Sequence, residues 1–308
     1  MKPRYLSLNS FIPWRQAERP IDWPQRFGRK ALLEVEIGFG NGGFLIRHAQ
    51  AHPEWDLVGI ELEWASVRRA LRKVVQAGVN NVRLIQSDAR LALERLFMPQ
   101  SLHRVYSLFP CPWPKQRHVK YRLFAHDFLK LINSRLVEGG ELLVVTDHYP
   151  YLTWVLDQLP GTGFECCWQP IAPRFGTKYE CKWRQQGQEQ FYELRLIKRA
   201  PIEIPLKEDV TLKTYRVDRF EPDQFQPSGE RGDIAVEFKE FLYDSERQKG
   251  MARVIVAEEN LTQHLWIEIA WTRDCWHIRP ARGCEIVPTV GLQRALDLVH
   301  DAVQAMPR

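Results

Sequence analysis

The stretch ALLEVEIGFGNGGFLI, residues 31–46, decides the fold. Residues 31–37 form an apolar run broken only by Glu34 and Glu36, and read as a strand. Gly38, Gly40, Gly42 and Gly43 follow, and Phe44-Leu45-Ile46 then enters an amphipathic stretch read as a helix over 41–51. A strand that runs through a glycine turn into a helix opens a sheet covered by helices. The glycines let the backbone turn tightly and come close to a ligand.

Working outward, the same rhythm repeats. Residues 55–60, 82–86, 103–109 and 141–146 read as further strands, and 65–77 and 124–136 as helices, with Gly78 and Gly139-Gly140 as punctuation. Residues 164–168 and 191–198 alternate apolar and polar side chains and read as closing strands. The expectation is an α/β fold with a doubly wound, mainly parallel sheet. Residues 200–230, with Pro201, Pro205, Pro222 and Pro227, read as a linker or irregular entry segment. Beyond it, 253–257, 265–272 and 275–279 read as a β-meander and 292–305 as an amphipathic helix, a second, smaller α+β domain. The expected division is an N-terminal extension over 1–30, a first domain over 31–199, the linker, and a C-terminal domain over 231–308 without an assigned role.

A length of 308 residues suits two domains, and 44% hydrophobic with 26% charged residues is globular composition. The amino terminus carries no basic segment followed by an apolar one, and no apolar run is long enough to span a bilayer, so a cytoplasmic location without membrane contact is expected. The six cysteines show no metal-ligand spacing and no disulfide framework, which points to reduced thiols and no metal. Charge divides unevenly. Residues 1–200 hold 29 Lys and Arg against 19 Asp and Glu, whereas 201–308 hold 14 against 19. A basic first unit suits a polyanionic partner, with a merely solvated surface as the alternative.

Glu36 stands directly before the glycine turn. Its charge repels the phosphates of a dinucleotide and suits the ammonium and sulfonium of S-adenosylmethionine. Glu61 ends the second strand, where a carboxylate accepts ribose hydroxyls, and Ser87-Asp88-Ala89 ends the third, beside an adenine. After the fourth strand comes FPCPWPKQRHVKYR, residues 109–122. Pro110, Pro112 and Pro114 stiffen this loop and hold Trp113 and Lys115, and the basic Arg117, His118, Lys120 and Arg122 suit phosphates.

Here the sequence resembles the tRNA (guanine-N7)-methyltransferase family, whose motif at this place reads Phe-Pro-Asp-Pro-Trp-Pro-Lys followed by a basic Arg-His stretch. The resemblance extends to the glycine turn, to Gly59-Ile60-Glu61, to Thr146-Asp147, and to Thr177-Lys178-Tyr179-Glu180, which matches the family's Thr-x-x-Glu. It covers roughly residues 31–198. It implies a Rossmann-like methyltransferase sheet, with S-adenosylmethionine as cofactor and tRNA as partner. It implies donor contacts at Glu36, Gly38, Gly40, Glu61, Asp88 and Ala89. Guanosine would be met by Lys115, Asp147, Thr177, Lys178, Tyr179 and Glu180, and tRNA by Arg117, His118, Lys120 and Arg122. Methylation at N7, in the variable loop, is the implied activity.

Thr177 and Glu180 also have the spacing of a helix capping box. The residues after them are polar and suit an amphipathic helix poorly, so a substrate role is expected. Trp113 reads as a loop anchor or a core aromatic, and His118 and His148 as polar surface residues rather than metal ligands. One position departs from the motif. Cys111 replaces the family's Asp at the place where that Asp would act in catalysis. An inactive or altered relative that only binds RNA, or a methyltransferase for a non-RNA substrate, is the alternative. Oligomeric state and the choice of tRNA are not legible.

Overall fold

The computed structural model describes residues 5–187 and 190–305; the first four residues of the N-terminal extension, Gln188, Glu189 and the last three residues lie outside the described residues. The chain divides into two compact units, Met1–Lys207 and Glu208–Arg308.

The first unit contains α1 (Trp23–Phe27), β1 (Leu33–Ile37), α2 (Gly43–Ala51), β2 (Asp56–Glu61), α3 (Trp64–Ala77), β3 (Val82–Gln86), α4 (Ala89–Arg95) and β4 (Leu102–Leu108). A 3-10 turn over Gln116–Tyr121 is followed by α5 (His126–Arg135), β5 (Leu136–Thr146), α6 (Tyr149–Asp157), β6 (Phe164–Ile171), α7 (Lys178–Gln185) and β7 (Phe191–Lys198). The seven strands lie in the order β3-β2-β1-β4-β5-β7-β6. β1 to β5 run parallel, while β7 lies antiparallel to both β5 and β6. β1 is buried at all five positions, as a central strand covered on both faces requires. Chain order reverses between β1 and β4, which leaves a crevice beyond their carboxyl ends.

The turn into α2 depends on Gly42. Its φ is 71°, and a Cβ there would lie 2.8 Å from the Cβ of Ala70 on α3. Only glycine permits both the left-handed backbone and this approach of two helices. The N-terminal extension has structure of its own. Ile12 N donates to Leu84 O (2.9 Å), Leu84 N donates to Ser10 O (2.7 Å), and the buried Trp14 donates from Nε1 to Gln86 O (2.9 Å). The segment thereby covers the outer edge of β3.

The second unit holds β8 (Tyr215–Val217), β9 (Ile234–Asp244), β10 (Lys249–Glu258), β11 (Leu261–Thr272), β12 (Cys275–Pro280) and α8 (Val290–Gln304). Its antiparallel sheet has the order β8-β12-β11-β10-β9, and Leu292, Leu296 and Val299 of α8 join Val254, Ile267 and Ile278 in one core. β9 escapes a reading by alternation because the ladder slips between Arg253 and Val254, which leaves Lys239 as an extra residue.

The stretch read as a linker divides between the units. Ile202 N donates to Asn133 Oδ1 (3.0 Å), and the fully buried Arg135 donates to Ile204 O (2.8 Å) and Pro205 O (3.3 Å), so 202–205 belong to the first unit. Val217, Phe220 and Phe225 lie in the core of the second. Among the described residues no helix is long and apolar enough to cross a membrane, and no group of three or more His, Cys, Asp or Glu is placed to hold a metal.

Candidate functional site

The crevice begins at Glu36, which is 3% exposed and stands beside Gly59 of β2 and Tyr106 of β4. Its Oε2 is buried without a hydrogen-bond partner, and burial pushes its carboxyl up to about 8. Glu36 lines a cavity of about 350 Å³ with Gly38, Gly40 and Asn41 of the turn, Ser66 and Arg69 of α3, and Thr177, Lys178 and Tyr179 from across the crevice. A buried carboxylate oxygen lacking a partner at a cavity wall is completed by a cation, so the site fits a positively charged donor.

Glu61 and Asp88 do structural work besides. Glu61 Oε2 accepts from Gly40 N (2.9 Å), and Oε1 accepts from Leu62 N (2.8 Å) and Glu63 N (3.1 Å), which pins the glycine turn to the end of β2. Asp88 caps α4, its Oδ1 accepting from Arg90 N (2.8 Å) and Leu91 N (3.2 Å), and Ala89 beside it is buried. Both carboxylates stand at strand ends on the side of the crevice, next to the cavity rather than in its wall.

The proline loop leaves β4 through Phe109, whose φ of 61° is left-handed, as is the 44° of Trp113. Backbone held in this region by residues other than glycine requires support from around it. Arg122 supplies part of that support. It is buried, donates from Nε to Pro112 O (2.9 Å), and packs its guanidinium 5.1 Å from the Trp154 ring centroid. Its expected role as a tRNA contact is therefore corrected, because its donors point into the loop. Arg117 and Lys120 are exposed, Lys115 is exposed at the start of the 3-10 turn, and His118 is half-buried with its ring 5.6 Å from that of Trp113. Trp113 is an anchor of the loop rather than of the core. Cys111 is an exposed free thiol. Asp147 follows β5 at the same edge of the sheet, and His148 caps α6 by accepting from Tyr151 N (3.1 Å).

The capping account of Thr177 and Glu180 needs a second correction. Thr177 accepts from Glu180 N (3.1 Å) and caps α7, a helix whose only buried residue is Glu180. The Glu180 carboxylate accepts from the backbone N–H groups of Arg174 (2.6 Å), Phe175 (3.1 Å) and Gly176. Glu180 is buried and shapes the loop before α7, whereas Thr177, Lys178 and Tyr179 reach the cavity. Sequence reasoning missed Arg47, Arg69 and Lys73, which bring positive charge to this end of the crevice. Arg47 was within reach, since it follows Gly43 by one helical turn; Lys73 is placed only by the packing of α3 on α2.

A sheet of this order with a glycine turn and acidic strand ends at its reversal point defines a class I methyltransferase. A family model described as "Putative methyltransferase" matches residues 30–193. A tRNA (guanine-N(7)-)-methyltransferase of Chlorobium phaeobacteroides is 45% identical over 171 residues, 56% of this chain and 84% of that one. One of Thermotoga maritima is 41% identical over 175 residues, 56% of each chain, so the match spans about half that relative's length. One of Aquifex aeolicus is 28% identical over 302 residues, 94% of this chain and 97% of that one, second unit included. The chain belongs to the tRNA (guanine-N7)-methyltransferase family.

Proposed function

We propose that this protein transfers the methyl group of S-adenosylmethionine to N7 of a guanosine in tRNA, within the variable loop, in the cytoplasm and without a metal. The observation that carries the reading is the unpartnered Oε2 of Glu36 in the wall of a cavity shared by the glycine turn and Thr177–Tyr179. When bound, S-adenosylmethionine supplies an electrophilic methyl on a cationic sulfur. Glu36 holds the donor's positive end, Gly38 and Gly40 let it approach, Glu61 accepts from the ribose with its remaining lone pair, and Asp88 with Ala89 borders the adenine.

N7 of guanine carries an in-plane lone pair and no proton, so no residue has to remove one. The protein's work is alignment, which alone supplies a large part of such a rate enhancement. Lys115, Asp147, Thr177, Lys178 and Tyr179 border the space left for the base; Asp147 suits the donors on the Watson–Crick edge, which selects guanine and leaves N7 open. Arg117, His118 and Lys120 meet backbone phosphates.

Cys111 alone favours a second reading, an RNA-binding relative that transfers nothing. Incubation with bulk tRNA and labelled donor, followed by nucleoside analysis, separates the two. Labelled 7-methylguanosine mapping to the variable loop is expected. Label in protein, or tRNA bound but unlabelled, overturns the proposal.

A further inference from the structure

Beside the donor cavity lies a second one of about 490 Å³ whose wall includes Arg47 of α2, Lys73 of α3, and Lys178 and Lys182 of α7. No carboxylate lines it among the described residues. The cations converge: the point where Gly43 would carry a Cβ is 3.5 Å from Arg47 Nη1 and 3.9 Å from Lys73 Nζ. Arg47 is fixed there because its Nη2 donates to Phe175 O, which leaves Nη1 for the cavity. The Lys73 ammonium is held below its ordinary pKa by burial first, and then by the charges of Arg47 and Arg69. Glu36 lies within electrostatic reach of Arg47 but holds its proton in the free protein near neutral pH, so the gathered like charges raise the protein's energy and an anion seated among them relieves it.

The cavity shares Asn41, Gly43 and Lys178 with the donor cavity, so its occupant is a near neighbour of the reacting base. Arg47 and Lys182 are exposed, so the cavity opens to solvent on their side. We propose that Arg47, Lys73 and Lys182 form a phosphate subsite that seats a backbone phosphodiester of the tRNA next to the methylated guanosine. The proposal rests on the tRNA reading above and adds to it three residues from outside the proline loop. Two of them sit on helices that precede the loop, which makes the RNA path cross the amino-terminal half of the first unit.

The test uses full-length protein with Lys73→Gln and Lys182→Gln combined, and the corresponding double Lys→Arg variant as the control that keeps charge. Binding to tRNA is followed by fluorescence anisotropy across a salt series, and donor affinity by calorimetry. The Gln variant is expected to bind tRNA at least tenfold more weakly, with a log–log salt slope smaller by about 1 to 2, and to bind the donor normally. The Arg variant is expected to behave as the unmodified protein. Unchanged tRNA affinity and slope in the Gln variant overturns the subsite, as does an equal loss of donor affinity. If inorganic phosphate raises the melting temperature of the unmodified protein but not of the Gln variant while tRNA affinity is equal in both, the cavity takes small anions and the proposal fails. Binding is read apart from transfer. An unmodified protein that leaves tRNA unmethylated overturns the proposed function, while the affinity ratio still decides the subsite.

Discussion

Glu36 shows how one residue couples proton and ligand. Burial holds its carboxyl at about 8, so near neutral pH the free protein keeps a proton that the unfolded chain releases above about 4.5. Stability therefore falls as pH rises through that window, because the folded state binds the extra proton. Glu36→Gln removes the titration, and its unfolding free energy should stay flatter with pH than that of the unmodified protein between 5 and 8. Denaturant melts at stepped pH check this. Seating a cation beside Glu36 should expel the proton, so calorimetry of donor binding at pH 7 in buffers of different ionisation enthalpy should show proton release that Glu36→Gln abolishes, with at least tenfold weaker affinity. Cys111 permits a prediction in the other direction. Cys111→Asp restores the family's carboxylate; a charge-assisted hydrogen bond regained in the transition state, roughly 1.5–3 kcal/mol, accelerates single-turnover methylation about ten- to a hundredfold. Equal rates would make Cys111 a packing residue of the loop.

Among the elements, the strands and longer helices built by apolar periodicity were legible. The short helices α4 and α6, despite burying Leu91 to Leu93 and Tyr151, Leu152 and Val155, were not read, and neither was α7, which is built by polar bonds. β3 and β7 lie where alternation and hydrophobic runs place them, with the same ends. α7 was illegible because it buries only Glu180, so its start is set by the Thr177 cap and its carboxylate clamp rather than by an apolar face. The proline loop was read as stiffened by its prolines, but its support was misread: a basic run hides which cation turns inward, and only the packing of α6 behind the loop draws Arg122 against Trp154. Arg122→Ala should leave the carbonyls of Pro112 and Trp113 without their donor and cost about 1–3 kcal/mol of stability. It should lower kcat at least tenfold and leave donor affinity intact. Arg122→Lys should recover little, since an ammonium reaches one carbonyl and lacks the planar face that packs on an indole. Steady-state kinetics beside thermal melts test both; unchanged kcat in Arg122→Ala would remove the loop from the chemistry.

For the molecule as a whole, the two-unit organisation was visible in the change of pattern near residue 200, but its boundary was not. Prolines at 201 and 205 suggested a spacer, yet they flank a strip whose carbonyls are taken by a buried arginine. A chain ended after Lys207 should fold, bind the donor and retain methyl transfer. One ended after Arg199 should be less stable by about 1–3 kcal/mol for each Arg135 donor left unmet, as measured by urea unfolding. Equal stability of the two would mean that 202–205 contribute nothing to the first unit.

Arg135 also sets an order in time. It lies on α5, and its acceptors at 204 and 205 emerge about 70 residues later in synthesis. Until they clear the ribosome, a guanidinium destined for full burial has only Leu93, Glu94 and its neighbour Ser134 to bond. The sheet of the first unit can assemble on the nascent chain, but its closure waits for the strip that follows β7. The first unit is thus locked just as the sequence of the second begins to emerge, which lets the two fold in succession rather than in competition.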